Sequence, residues 1–355
     1  MAAYTTIDDP SAHFKVQLYT GNATDDTAIS FNDTDTTMQP DFIWIKNRSA
    51  SGDHSLVDVT RGVTKYFTTS GNDEEQTYTN SVKSFDSDGF TLGTRAIVNG
   101  SGNNLVAWCW KPQGGAGSSN EAGSINTTTT SVNTTSKFSI STYTGTGSAA
   151  TIGHGMSSVP HWILCKERGA AGDWAMYHHK NTSAPETDVL EFNNTAATAD
   201  NNGMWNDTAP TSTLITLGGS AVLNNSSDTY VCYAWSEVQG FSKFGSYTGN
   251  GNADGTFVYT GFRPAFIIFK KSSGSGDDWS MYDYKRTGYN SAGNEELRPN
   301  TTAAEQDVDR IDILSNGFKA RTSSGETNES GSSYVYMAFA EAPFVNSEGV
   351  PCNAR

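Results

Sequence analysis

Apolar and polar positions recur in one order three times along the chain. Each round opens on a Tyr-Thr-Gly turn, at Tyr19-Thr20-Gly21-Asn22, Tyr143-Thr144-Gly145-Thr146 and Tyr247-Thr248-Gly249-Asn250. A proline then leads an apolar run closed by a lysine: Pro40 to Lys46, Pro160 to Lys166 and Pro264 to Lys270. Asp53-His54, Asp173-Trp174 and Asp278-Trp279 follow, and each round ends on an aromatic run finishing at Trp110, Trp235 or Phe339. Self-similarity at a period of roughly 110 residues marks tandem units of domain size.

The proline-led runs are short, β-branched and aromatic, and turn residues bound them, so they predict strands. Phe42-Ile43-Trp44-Ile45 has no polar position, which predicts burial on both faces. In the closing runs Tyr230, Cys232 and Ala234 face one way and Val231, Tyr233 and Trp235 the other. Phe42, Trp162 and Phe266, with Trp110, Trp235 and Phe339, recur at one register and are expected in the core. No segment holds a helical period over three turns, and the nearest approach is Thr301 to Gln306. The expected fold is all-β, with three tandem homologous β-sandwich (jelly-roll-like) units at 14–112, 137–238 and 239–344. A short segment, 1–13, precedes them and a tail, 345–355, follows. The Gly/Ser/Thr-rich stretch 113–136 reads as a flexible linker or hinge.

Composition sharpens this picture. Apolar residues make up only 35% of the chain against 35 glycines, which fits short strands joined by tight turns. The net charge of −15 argues against a phosphate backbone as partner, so no nucleic acid is expected. No apolar stretch is long enough to insert in a membrane, and the first residues do not read as a signal peptide. Synthesis in a cytoplasm is expected. Four cysteines without a CxxC spacing read as small buried hydrophobes.

Candidate chemistry is sparse. No nucleophile elbow, HExxH, phosphate loop or dinucleotide fingerprint occurs. The six histidines do not recur at matching places, and adjacent His178 and His179 would point to opposite faces of an extended segment. Asp86-Ser87-Asp88-Gly89 starts like a calcium loop but lacks the remaining ligands. No cofactor is expected, with calcium in the acidic loops at Asp25-Asp26 or Asp33-Thr34-Asp35 as the alternative to solvated turns. Asp307, Asp309 and Asp312 are the weak choice for the paired acids a glycan hydrolase needs. The Tyr-Thr-Gly phrase is explained by a turn in which glycine takes positive φ. The Asp-Trp pairs are the surface candidates: Asp173, Trp174 and Tyr177, with Asp278, Trp279 and Tyr282, offer a ring to stack on a sugar or subunit and a carboxylate beside it. Burial in the core is the competing reading.

The phrases Phe244 to Gly251, Gly261 to Phe266 and Tyr334 to Glu341, with Tyr19 to Asn22 and Val106 to Trp110, resemble repeats in virion proteins of marine tailed bacteriophages, commonly labelled tail-fibre-like. The resemblance runs from about Phe14 to about Phe344. It implies a non-enzymatic virion structural protein on the particle surface, a tail-fibre or receptor-binding component contacting host-surface glycan or protein. A capsid or tail decoration protein binding other virion subunits is the alternative, and a polysaccharide depolymerase the third. Such proteins are often homo-oligomers, and the hinge reading of 113–136 would let the first unit move against the others.

Overall fold

The computed structural model describes residues 3–287, 290 and 295–352, so two residues of the N-terminal segment and three of the tail lie outside the described residues. Each proline-led run is a strand in the same antiparallel arrangement of four strands, which forms the whole sheet in the first and third repeats and part of a seven-stranded sheet in the second. In the first repeat β1 (Phe14–Thr20), β2 (Phe42–Asn47), β3 (Ser55–Asp58) and β4 (Asn104–Trp110) lie in the order β1-β4-β2-β3. After β5 (Thr129–Asn133), the second repeat orders β6 (Phe138–Thr144), β7 (Trp162–Glu167), β8 (Ala175–His178) and β9 (Thr229–Trp235) as β6-β9-β7-β8. The third orders β10 (Ser242–Thr248), β11 (Phe262–Lys271), β12 (Ser280–Asp283) and β13 (Ser333–Pro343) as β10-β13-β11-β12. Register recurs as well. Trp110 lies opposite Phe14 and Phe42, Trp235 opposite Phe138 and Trp162, and Phe339 opposite Ser242 and Phe266.

Alternation sends successive side chains to opposite faces, and both faces of each sheet are covered. On the outer face of the first, Ile43, Ile45 and Val57 pack on Ile29, Phe90 and Leu92 of a small three-stranded sheet. A two-stranded sheet (Ala150–Gly153, Leu214–Leu217) covers the second repeat, and the strands Phe257–Tyr259, Ile311–Leu314 and Gly317–Ala320 cover the third. The inner faces meet one another. Phe42, Trp44 and Trp108 join Trp162, Leu164 and Tyr233, and Phe266, Ile268 and Met337, in one continuous core. Trp110 alone stands within 6.5 Å of Trp235, 5.6 Å of Phe266 and 5.5 Å of Phe339, so a single indole links all three repeats. The apolar run at Phe42 is therefore flanked by its own small sheet on one side and by the other repeats on the other.

The end of the stretch 113–136 is tied to the second repeat. Its Thr129–Asn133 pairs as β5 along the free edge of β6, and Ser118 and Ile125 form bridges to Thr130 and Ile152. A composition that reads as flexible serves here as a hydroxyl ladder, with Thr129 and Thr142 Oγ1 2.7 Å apart and Thr130 Oγ1 and Ser141 Oγ 3.0 Å apart.

The Tyr-Thr-Gly turn is structural, but for a different reason than positive φ. Gly21, Gly145 and Gly249 lack a left-handed φ; a Cβ on each would meet a backbone carbonyl at 2.2–2.3 Å. The tyrosine hydroxyls of Tyr19, Tyr143 and Tyr247 donate to the carbonyls of Val98, Leu223 and Thr327. The next residue in each case is a buried asparagine, Asn99, Asn224 or Asn328, whose Oδ1 accepts the turn's own N–H at 2.8–2.9 Å. These asparagines end four-residue helices (Ala96–Asn99, Ala221–Asn224, Gly325–Asn328) that the apolar pattern did not reveal.

Candidate functional site

The tryptophans of the Asp-Trp pairs are interior residues, and the aspartates beside them are half-buried. Trp174 and Trp279 are fully buried on the inner faces, which corrects the expectation that their rings meet a sugar or subunit. Trp174 Nε1 donates to Thr68 O of the first repeat at 2.9 Å, and Trp279 Nε1 to Glu191 O of the second at 3.2 Å. His54 holds the same place in the first repeat. Its Nδ1 accepts from Trp44 Nε1 at 2.8 Å, so Nε2 carries the proton and donates to Arg298 O of the third repeat at 3.0 Å. Three equivalent side chains thus reach around a closed ring. Tyr177 and Tyr282 face the outer cores, and Tyr282 Oη donates to Glu296 at 2.5 Å. Asp173 and Asp278 accept from Asn193 and Asn300, and hold turns.

Two of the three junctions are sealed by buried ion pairs. At one, Asp58 pairs with Arg61 at 2.5 Å and accepts from Tyr233 Oη at 2.7 Å, while Glu75 binds Arg61 and Arg168. At the next, Asp283 pairs with Arg286 at 2.6 Å and accepts from Trp108 Nε1 at 2.9 Å, while Glu305 binds Arg286 and Arg48. Burial pushes the Asp58 carboxyl up, but the Arg61 guanidinium and the Thr60 and Tyr233 hydroxyls outweigh it and hold it below the usual carboxylate range. The marker lysines take part: Lys46 Nζ donates to Thr302 O of the third repeat and Lys166 Nζ to Asn72 O of the first. Burial lowers both ammonium groups to about 8.

The third junction, between the second and third repeats, departs from this. The positions of Asp, Arg, Glu and Arg hold His178, Asn181, Thr198 and Ser272. The backbone link survives, with Thr198 N–H donating to Ser272 O at 3.1 Å as Glu75 does to Arg168 and Glu305 to Arg48. The charges do not. His178 and His179 both donate from Nε2 to third-repeat carbonyls, Tyr336 O at 3.1 Å and Phe244 O at 2.8 Å, so they share a direction instead of pointing apart.

The surface opens here more widely than at the junction of the first and third repeats, where a cleft of about 190 Å³ lies beside Lys15, Ala265 and Lys285. A cleft of about 650 Å³ lies along β10, lined by His161, His179, Lys180, Glu237, Lys243 and Tyr336 among others. It shares Glu237, Gln239 and Lys243 with a second cleft of about 190 Å³ that runs to Tyr4, Tyr259 and Gly261. The physical origin is an unfilled edge. β6 has β5 along its free edge, and Gln113 and Gly114 cover Asp41, the counterpart of His161; β10 has no such strand.

Inside the cleft the rings of His161 and His179 are 4.1 Å apart. His161 Nδ1 accepts from Glu237 N–H at 2.9 Å, which leaves Nε2–H with no partner among the described residues. Burial, with His179, Lys243 and Lys180 nearby, pushes this imidazole down to about 4. Lys243 pairs with Glu237 at 2.8 Å. Tyr336 is 3% exposed, and its hydroxyl also lacks a partner among the described residues. Its ring passes over Gly245, where a Cβ would lie 2.6 Å from the hydroxyl. At the far end Tyr259 is 53% exposed. Apart from the adjacent pair His178-His179, these residues did not stand out in the sequence, although a signal existed: His161 sits where one repeat fails to match the other two.

The family match spans residues 9–343 and so runs through all three repeats. The chain belongs to the family described as Domain of unknown function (DUF7483). No curated protein and no solved structure matches it. Of the weaker candidates, Asp312 pairs with Arg321 at 3.2 Å, and Asp86 accepts from Ser84 and Thr91 within its own hairpin. Among the described residues no group of three or more His, Cys, Asp or Glu is placed to hold a metal.

Proposed function

We propose that the chain is a non-enzymatic structural protein of a bacteriophage virion, exposed on the particle as a tail-fibre or receptor-binding component that contacts host-surface glycan or protein. The virion part rests on the sequence resemblance. The binding part rests on one observation: the junction of the second and third repeats lacks the buried ion pairs of the other two and carries a groove of about 650 Å³ where donor groups are displayed. Interior carboxylates and guanidinium groups at the sealed junctions hold repeats together, which suits a scaffold presenting a surface. Purified protein added to host cells before infection is expected to bind them and block adsorption; full adsorption at saturating protein would contradict the reading.

The cyclic contacts favour a second reading. Three equivalent sheets around one core imitate a trimer in a single chain. Such a body suits a three-fold position as a capsid or tail decoration protein binding other virion subunits. A density map of the intact particle separates the two readings by where the chain lies. Release of reducing ends from host polysaccharide would instead support a depolymerase.

A further inference from the structure

The geometry points to the groove between the second and third repeats as a binding site for an acidic saccharide, its anionic group held at the His161–Lys180–Lys243 end and a sugar ring laid toward Tyr259. The groove is built mainly from donors. His161 Nε2–H and the Tyr336 hydroxyl are unpartnered among the described residues, and Tyr336 is almost wholly buried apart from its access to the cleft. Lys180 and Lys243 stand against one carboxylate, Glu237, which Lys243 already engages. A local excess of positive charge on a chain of net charge −15 selects for an anion, because the rest of the surface repels one. Tyr336 is buried but for its opening to the cleft, and an unpartnered O–H there is costly unless a ligand or water satisfies it.

The second cleft supplies what a bare anion does not need. Tyr259 is more than half exposed, its hydroxyl lies 3.5 Å from that of Tyr4, and Tyr4 is fixed by donation to Gly261 O at 2.8 Å. An exposed ring beside amide and hydroxyl groups suits the flat face of a pyranose. The larger cleft, about 650 Å³, falls in the range of small-molecule sites, and it shares Glu237, Gln239 and Lys243 with the smaller one of about 190 Å³. The equivalent place on β6 is filled by the chain itself, and the one beside β1 is a cleft of only about 190 Å³ in which Ala265 stands for His161 and Asp33 engages Lys15.

This assignment rests on the reading of the chain as a surface-binding protein and names the ligand class of that surface. Its test is calorimetric titration of the full chain with glucuronic acid, glucose 6-phosphate, glucose and inorganic phosphate, alongside NMR of the histidine rings. Either acidic sugar is expected to bind at least tenfold tighter than glucose and to shift the His161 and His179 signals. Lys243→Gln should weaken that binding at least tenfold. Tyr259→Ala, at an exposed position that leaves folding intact, should weaken the acidic sugar and leave phosphate unchanged. Glucose binding as well as the acids, phosphate binding as well as the sugars, or no binding at all would overturn the assignment. A protein that blocks adsorption yet binds none of these sugars refutes the site and leaves the adhesive reading standing. Sugar binding without any block of adsorption does the reverse.

Discussion

The Tyr233 hydroxyl donates 2.7 Å to Asp58, a residue of another repeat 175 positions earlier in the chain. The Trp108 indole does the same to Asp283 at 2.9 Å, again across 175 positions. Both carboxylates also hold a buried arginine. Removing one member of such a cluster leaves an uncompensated charge in the interior. Asp58→Ala is expected to destabilise by about 3–5 kcal/mol, because Arg61 loses its main counter-ion. Tyr233→Phe, which removes only the hydroxyl, should cost about 1–3 kcal/mol. Urea unfolding of the two variants measures both, and equal losses would mean that the ion pair does not act as described.

The buried tryptophans give a second prediction. Trp174→Ala or Trp279→Ala should cost about 3–5 kcal/mol through the cavity left in the shared core. Trp174→Phe should cost less, about 1–3 kcal/mol, since a six-membered ring stays and the smaller losses are the pyrrole part and its bond to Thr68 O. Phe variants that remain folded should bind host cells as the parent does, and a loss of cell binding at full stability would return these residues to the surface.

Stability should fall on mild acidification. Burial, and His179 beside it, pushes the His178 imidazole down to about 3, and burial takes His154 to about 4. These folded values lie below the ordinary value of about 6.5 in an unfolded chain, so the unfolded chain takes up protons first. The stabilisation is complete above about pH 6.5 and is lost as the pH falls toward the folded values. His178→Gln keeps a donor for Tyr336 O but does not titrate. Its melting temperature should drop less between pH 7 and pH 4 than the parent's, and parallel curves would show that His178 is not buried as a neutral ring.

The segment Thr129–Asn133 should resist proteolysis under native conditions, because cleavage there needs β5 to leave the edge of β6. Limited digestion followed by mass spectrometry checks this. Rapid cutting there, ahead of all other sites, would restore the hinge.

Much of the architecture is legible in the residues. The run Phe42-Ile43-Trp44-Ile45 announces a strand with two apolar faces, and the recurring aromatics at Trp110, Trp235 and Phe339 announce a common core register. What covers each face is not legible, because alternation gives a direction and not a partner. Trp174 shows the limit most clearly: it bonds a backbone carbonyl 106 positions away, which has no side-chain signature. The Thr-rich linker misleads in the same way, since its hydroxyls pair only once β6 is beside them. The groove is hidden for another reason. Matching repeats draws notice to what recurs, whereas His161 stands where the other repeats have Asp41 and Ala265, and Ser272 where the first has Arg48.

The central claim is that three repeats form one body around a shared core. Differential scanning calorimetry of the full chain at neutral pH tests it most directly. The account predicts a single transition whose calorimetric and van't Hoff enthalpies agree, because no sheet can expose its inner face without opening the other two. Two or three separable transitions, each with the enthalpy of a domain of roughly 110 residues, would contradict it.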